Sequence, residues 1–255
     1  MLKLSKYVLY DILRNKIMIG YSLFLLVISL SLFGMEENSS KAILSLLNIV
    51  LIVVPLVSMV FATIHWYNSY EFIELMLTQP LGRNKVILSE YLGIGSSLTT
   101  AFLVGVGIPV LVYEPTATGF SLLLVGLLLT LCFTSFAFLA SVKSKDKARG
   151  IGTALLLWFY FALIYDGLIM MVLFAFSDYP LEKIIMFMLS LNPVDLGRVF
   201  IMLQMDVSAL MGASGAIVKN FFESNTGLVL TLGIMMAWIV APLYFAVRAF
   251  KRKDL

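Results

Sequence analysis

Six apolar stretches, each long enough to cross a bilayer and separated by charged segments, limit what this chain can become. They cover residues 17–35, 42–66, 91–113, 118–142, 150–176 and 227–247, and a hydrocarbon core of about 30 Å takes roughly 20 helical residues. Hydrocarbon offers backbone N–H and C=O groups no water, so runs of this length must satisfy those groups internally as helices. Composition agrees, with 61% hydrophobic residues, 13% charged residues and a mean hydropathy of +1.00, far from the soluble average. The first run is followed by Leu32-Phe33-Gly34-Met35-Glu36 and not by a small-residue cleavage site, so it counts as a span. The expectation is an all-α polytopic membrane protein, one transmembrane domain over residues 1–255.

The segments between the spans carry the remaining organisation. Residues 1–16 place Leu4, Val8, Leu9, Ile12 and Leu13 on one side and Lys3, Lys6, Asp11, Arg14 and Lys16 on the other, the pattern of a helix in the headgroup layer. A solvated arm is the alternative. Residues 68–80 read as a short helix of about 18 Å, ended by Pro80. Glu71, Glu74 and Thr78 share one face at i, i+3 and i+7, while Phe72, Ile73, Leu75 and Met76 cover much of the rest. Such a helix either lies on the membrane with its acids turned to water or is an ordinary solvated connector. Residues 177–226 hold apolar pieces too short to span, broken at Asn192-Pro193, around 204–206 and at 212–216, which suits helices resting on or dipping into a leaflet.

Orientation follows from Lys and Arg in the loops. Fourteen of the 18 fall on the side of both termini, of residues 83–85 and of residues 143–149, whereas Lys41, Lys183, Arg198 and Lys219 fall on the other. Both termini and the 68–80 helix are thus expected in the cytosol, and 177–226 outside. A net charge of +3, spread over span ends, points to topology and not to nucleic acid.

Few residues could carry chemistry. Asp166 lies about two thirds of the way along the fifth span, where a charged carboxylate costs on the order of 2.5–3.5 kcal/mol. It reads either as a polar point on a pathway or dimer seam or as a hydrogen-bonded packing group. His65, beside Trp66 and Tyr67, suits an aromatic belt, and the lone Cys132, inside a span, suits buried filler. With one His and one Cys, a zinc site or a Cys-His pair lacks its residues. Met202, Met205 and Met211 are soft thioethers that could hold Cu(I) or simply fill space. Three prolines, Pro55, Pro109 and Pro242, interrupt spans, and Pro109 follows Gly105 and Gly107, so the third span is expected to bend, as a hinge or as a static kink. No G-x-x-x-x-G-K-[ST] motif occurs, so ATP and Mg2+, if used, belong on a separate chain.

The run Glu74-Leu-Met-Leu-Thr-Gln-Pro80-Leu-Gly-Arg83, followed by Glu90-Tyr-Leu-Gly93, resembles the membrane subunits of type 2 ABC exporters, whose connector after the second span carries a glutamate, a proline and an arginine at this spacing. The usual Glu-x-Gly-Thr start of that connector is replaced by Tyr67-Asn-Ser-Tyr-Glu71-Phe. The resemblance implies a multi-pass permease of the bacterial inner membrane, a homodimer with a cytosolic ABC ATPase. Its ATPase-coupling residues would be Glu71, Glu74, Leu77, Pro80 and Arg83. Within the family, residues 191–200 (LNPVDLGRVF) and 210–219 (LMGASGAIVK) are similar to permeases of transporters that mature the copper centres of nitrous oxide reductase. That likeness implies an extracytoplasmic partner meeting Asn192, Pro193, Asp195 and Arg198. Transport of another substrate, or a scaffold that moves no solute, stays open at this level.

Overall fold

A computed structural model describes residues 8–9, 12, 15–36, 38–79, 82–176, 182–205 and 225–252. Among these, 91% are helical and none is in a strand. Helix α1 is Lys16–Met35, α2 Ser39–Asn68, α3 Tyr70–Leu77, α4 Arg83–Tyr113, α5 Ala117–Lys143, α6 Lys147–Ala175, α7 Glu182–Ser190, α8 Pro193–Gln204 and α9 Asn225–Lys251. Six of them, α1, α2, α4, α5, α6 and α9, are long and apolar enough to cross a membrane. The chain is an all-α polytopic membrane protein, as its apolar runs require.

Polar caps start these helices at the ends of the bundle. The side chains of Asn15, Asn38, Thr116 and Asp146 each accept a backbone N–H from the first turn of α1, α2, α5 and α6, satisfying donors that a helix leaves open. The helices are longer than hydropathy alone indicates. Helix α2 runs two residues past Trp66 and α4 begins at Arg83, so Glu90, taken as outside the third span, lies inside it. Helix α3 is shorter than expected, eight residues or about 12 Å. Of the N-terminal segment, Val8 and Ile12 are described, and both are buried against the core; the rest of the expected interfacial helix lies outside the described residues.

Helix α5 sits at the centre, packed against α2, α4, α8 and α9. Trp66 of α2 meets Phe138 of α5 and Phe250 of α9 edge-on, at centroid distances of 5.1 and 5.6 Å. Three long-range hydrogen bonds gather one end of the bundle. Tyr67 donates to the Ser141 carbonyl at 3.2 Å, Lys147 to Asn68 at 2.8 Å and Arg83 to the Lys251 carbonyl at 2.9 Å. Helix α3, the α5–α6 turn and the end of α9 therefore share one end, as the charge pattern predicts. At the other end Phe33 stacks on Tyr113 and Thr118 bonds to the Gln204 carbonyl.

Two spans widen into π-helix, at Leu103–Gly107 and at Tyr160–Ile164. The first has a local cause. Pro109 lacks an N–H, and its ring would clash with the carbonyl of residue 105 in a regular α-helix; one wide turn relieves that conflict. Gly105 is pressed onto α1 there, since a Cβ would stand 2.6 Å from the Leu25 Cβ and 2.8 Å from the Ser22 carbonyl oxygen. The region expected to bend is thus packed in place.

Helices α7 and α8 form a pair bent by 113° at Leu191-Asn192. Of the two placements expected for these pieces, resting on a leaflet or dipping into it, α8 fits the second, since it packs into the bundle. Leu196 and Ile201 are fully buried, and a Cβ on Gly197 would stand 2.6 Å from Val125 of α5.

Candidate functional site

Two places combine exposed charge with a built setting, the connector α3 and a polar junction between α6 and α8. At the connector, Ser69 breaks α2 with φ −90° and ψ 6°, and its N–H returns to the His65 carbonyl. Ile73, fully buried, and Met76 hold α3 to the bundle, and Leu77 packs partly on the core. Glu71 and Glu74 point away from it and are exposed. Among the described residues neither acid has an ion-pair partner. Glu71 in the first turn is favoured by the helix dipole. Burial, with the charge of Glu74 next, raises the Tyr70 phenol above its ordinary value, so Tyr70 stays a neutral hydrogen-bond donor beside the acids.

Phe72 and Leu75, expected to rest on the membrane side, are 44% and 60% exposed. The outward face of α3 is thus two acids flanked by two apolar side chains. Pro80 lies outside the described residues. Arg83 has its guanidinium on the Lys251 carbonyl, bracing the third span to the last.

Behind the connector lies a buried polar contact. His65, expected in the headgroup belt, is only 11% exposed and has its Nε2 3.9 Å from the Glu90 carboxylate and 3.2 Å from the Ser69 hydroxyl. Glu90 is 2% exposed. The signal for Glu90 was present in spacing, since Ile87, Glu90, Tyr91 and Ile94 form one buried helical stripe. The turn that launches α3 is thereby tied to α4 by polar contacts.

At the second place Arg198 of α8 donates from Nη1 to both oxygens of Asp166 on α6, at 2.7 and 3.0 Å, and lies 3.5 Å from Asp195. Asn192 caps α8 by accepting from Val194, and donates to Asp195 at 2.6 Å and to the Phe161 carbonyl at 2.9 Å. Phe161 stands in the π turn, where the backbone register slips, and no local sequence signal marked that turn. Of the residues expected to meet an outside partner, Asn192, Pro193 and Asp195 are buried within this chain. The side chain of Arg198 is 27% exposed and is held by Asp166. The polar groups of Asn192 and Asp195 are satisfied within the chain, across the bent pair. Asp166, whose side chain is 42% exposed, is a partnered anion and the one charged residue of α6 beyond its first turn. Met202 and Met205 pack partly on the main core, and Met211 lies outside the described residues.

A rod with a free acid and apolar face joins the ends of two spans, and among the described residues no group of three or more His, Cys, Asp or Glu is placed to hold a metal ion. The profile of the ABC-2 family transporter proteins matches residues 72–255, most of this six-span chain, and the chain belongs to that family. Along nearly its whole length it is similar to two proteins named probable ABC transporter permease protein NosY. It is 28% identical to the Pseudomonas aeruginosa protein over 268 residues, covering 97% of this chain and 96% of the relative. It is 26% identical to that of Stutzerimonas stutzeri over 271 residues, covering 96% and 95%. The chain is a multi-pass, NosY-like permease subunit of the bacterial inner membrane.

Proposed function

We propose that this chain is the permease of a NosDFY-type transporter, a homodimer that receives force from a separate NosF-like ATPase and passes it through the bundle toward a NosD-like extracytoplasmic protein. ATP and Mg2+ are held by the ATPase. The observation that carries this reading is the outward face of α3, where Glu71 and Glu74 stand exposed beside Phe72 and Leu75. Exposed apolar side chains rimmed by charge are what a protein partner covers. The orientation, with both termini in the cytosol, is supported by the Lys and Arg bias toward the α3 end.

The dimer seam is read from α6. An ion pair at that depth, with Asp166 and Arg198 still partly exposed in one chain, is costly against lipid, so a second copy or a water-filled path covers it. The role in maturing the copper centres of nitrous oxide reductase rests on the resemblance of residues 191–200 and 210–219 to such permeases. The test is co-purification with the ATPase. Glu74→Lys should leave membrane insertion intact and weaken association by about tenfold or more, as like-charge contacts at an interface do; unchanged association would contradict the proposal.

A further inference from the structure

The end of α9 is built as two opposed faces. Met235, Ile239, Ala246 and Phe250 turn inward and are buried. On the opposite face, at helical spacing, run Val240, Tyr244, Arg248 and Lys251, with Val247 at its flank and partly packed on the core. Val240 and Tyr244 are more than half exposed, and in a membrane-spanning helix that face meets lipid or another chain. Along it the side chains pass from aliphatic to a tyrosine and then to cations, the order in which a helix leaves hydrocarbon for the headgroup layer.

Tyr244, Val247, Arg248, Lys251 and Arg252 line a recess of about 320 Å³. Among the described residues none of these three cations has an ion-pair partner. A helix C-terminus is ordinarily hostile to anions, but here the guanidinium of Arg83 covers the Lys251 carbonyl at 2.9 Å. The helix end is also anchored, by Phe250 against Trp66, so the cations project from a fixed platform. We infer that this face of α9 is a binding site for the phosphate headgroup of an anionic phospholipid. Tyr244 meets the glycerol level, and Arg248, Lys251 and Arg252 meet the phosphate. The inference rests on the chain crossing a bilayer, not on the ATPase contact or the orientation proposed above, so each can fail separately.

The test is native mass spectrometry of the purified full-length chain in detergent, offered phosphatidylglycerol and phosphatidylcholine with matched acyl chains. Phosphatidylglycerol should be retained preferentially. Each of R248Q, K251Q and R252Q should reduce its retention about fivefold, from a contribution near 1 kcal/mol per cation. R248K should retain it, and K145Q, which removes a cation from the same end but not from this face, should change nothing. Soluble glycerol phosphate at matched concentration should not displace the lipid. Equal retention of both lipids, an equal effect of K145Q, or displacement by glycerol phosphate would each overturn the assignment. So would a triple variant that keeps its lipid but loses the ATPase, which would make this face a protein contact.

Discussion

At the scale of single residues, the junction around Arg198 shows how a membrane protein tolerates charge. One guanidinium serves Asp166 with two hydrogen bonds and stands near Asp195, while Asn192 fills the remaining acceptor and reaches the Phe161 carbonyl. Removing the shared cation leaves two carboxylates facing each other, whereas neutralising Asp166 leaves a polar acceptor in place. Arg198→Leu should therefore destabilise by about 3 kcal/mol or more and Asp166→Asn by about 1. Thermal denaturation of the two variants in the same detergent checks this, and equal small losses would show that the pair contributes little. Nothing near Asp166 in the sequence indicated its partner, because Arg198 lies on another helix and 32 positions away. Burial of Asn192 and Asp195 was hidden for the same reason: polar side chains read as surface until their partners are known.

Among the elements, the third span is the clearest case of a local conflict resolved by a neighbour. Pro109 and the glycines before it were legible as an interruption, and the π turn at Leu103–Gly107 is the form the interruption takes. The approach of α1 was not legible, because it depends on Ser22 and Leu25 from a different span. Gly105→Ala must push a Cβ against the Ser22 backbone and should cost about 1–3 kcal/mol. Gly152→Ala, where nothing lies within 4 Å, should be neutral or gain up to about 1 kcal/mol from helix propensity. Melting temperatures of the two variants decide the point, and equal values would mean that the α1–α4 contact is looser than the structure indicates. The wide turn at Tyr160–Ile164 has no proline to announce it and belongs to the contact with Asn192. The α7–α8 break, by contrast, was marked by Asn192-Pro193, a capping residue followed by a helix-starting proline.

For the whole molecule, the number of spans was readable because hydrophobic length alone decides it. Their ends were less so, since those are set by caps such as Asp146 and by a buried acid, Glu90, that extends α4 toward Arg83. The acid face of α3 was legible in the spacing of Glu71 and Glu74. That Phe72 and Leu75 are exposed beside it was not, because Ile73, Met76 and part of Leu77 take the room against the bundle. The account as a whole depends on this rod lying in the cytosol, where an ATPase can reach it. Cys132, the lone natural cysteine, is 1% exposed, so single cysteines placed at exposed positions report cleanly on sidedness. Gln79→Cys beside α3 and Lys41→Cys at the opposite end should be treated in intact cells with a charged maleimide that does not cross the inner membrane. Lys41→Cys should label in intact cells and Gln79→Cys only after that membrane is opened; labelling of Gln79→Cys from outside, with Lys41→Cys protected, would contradict the account.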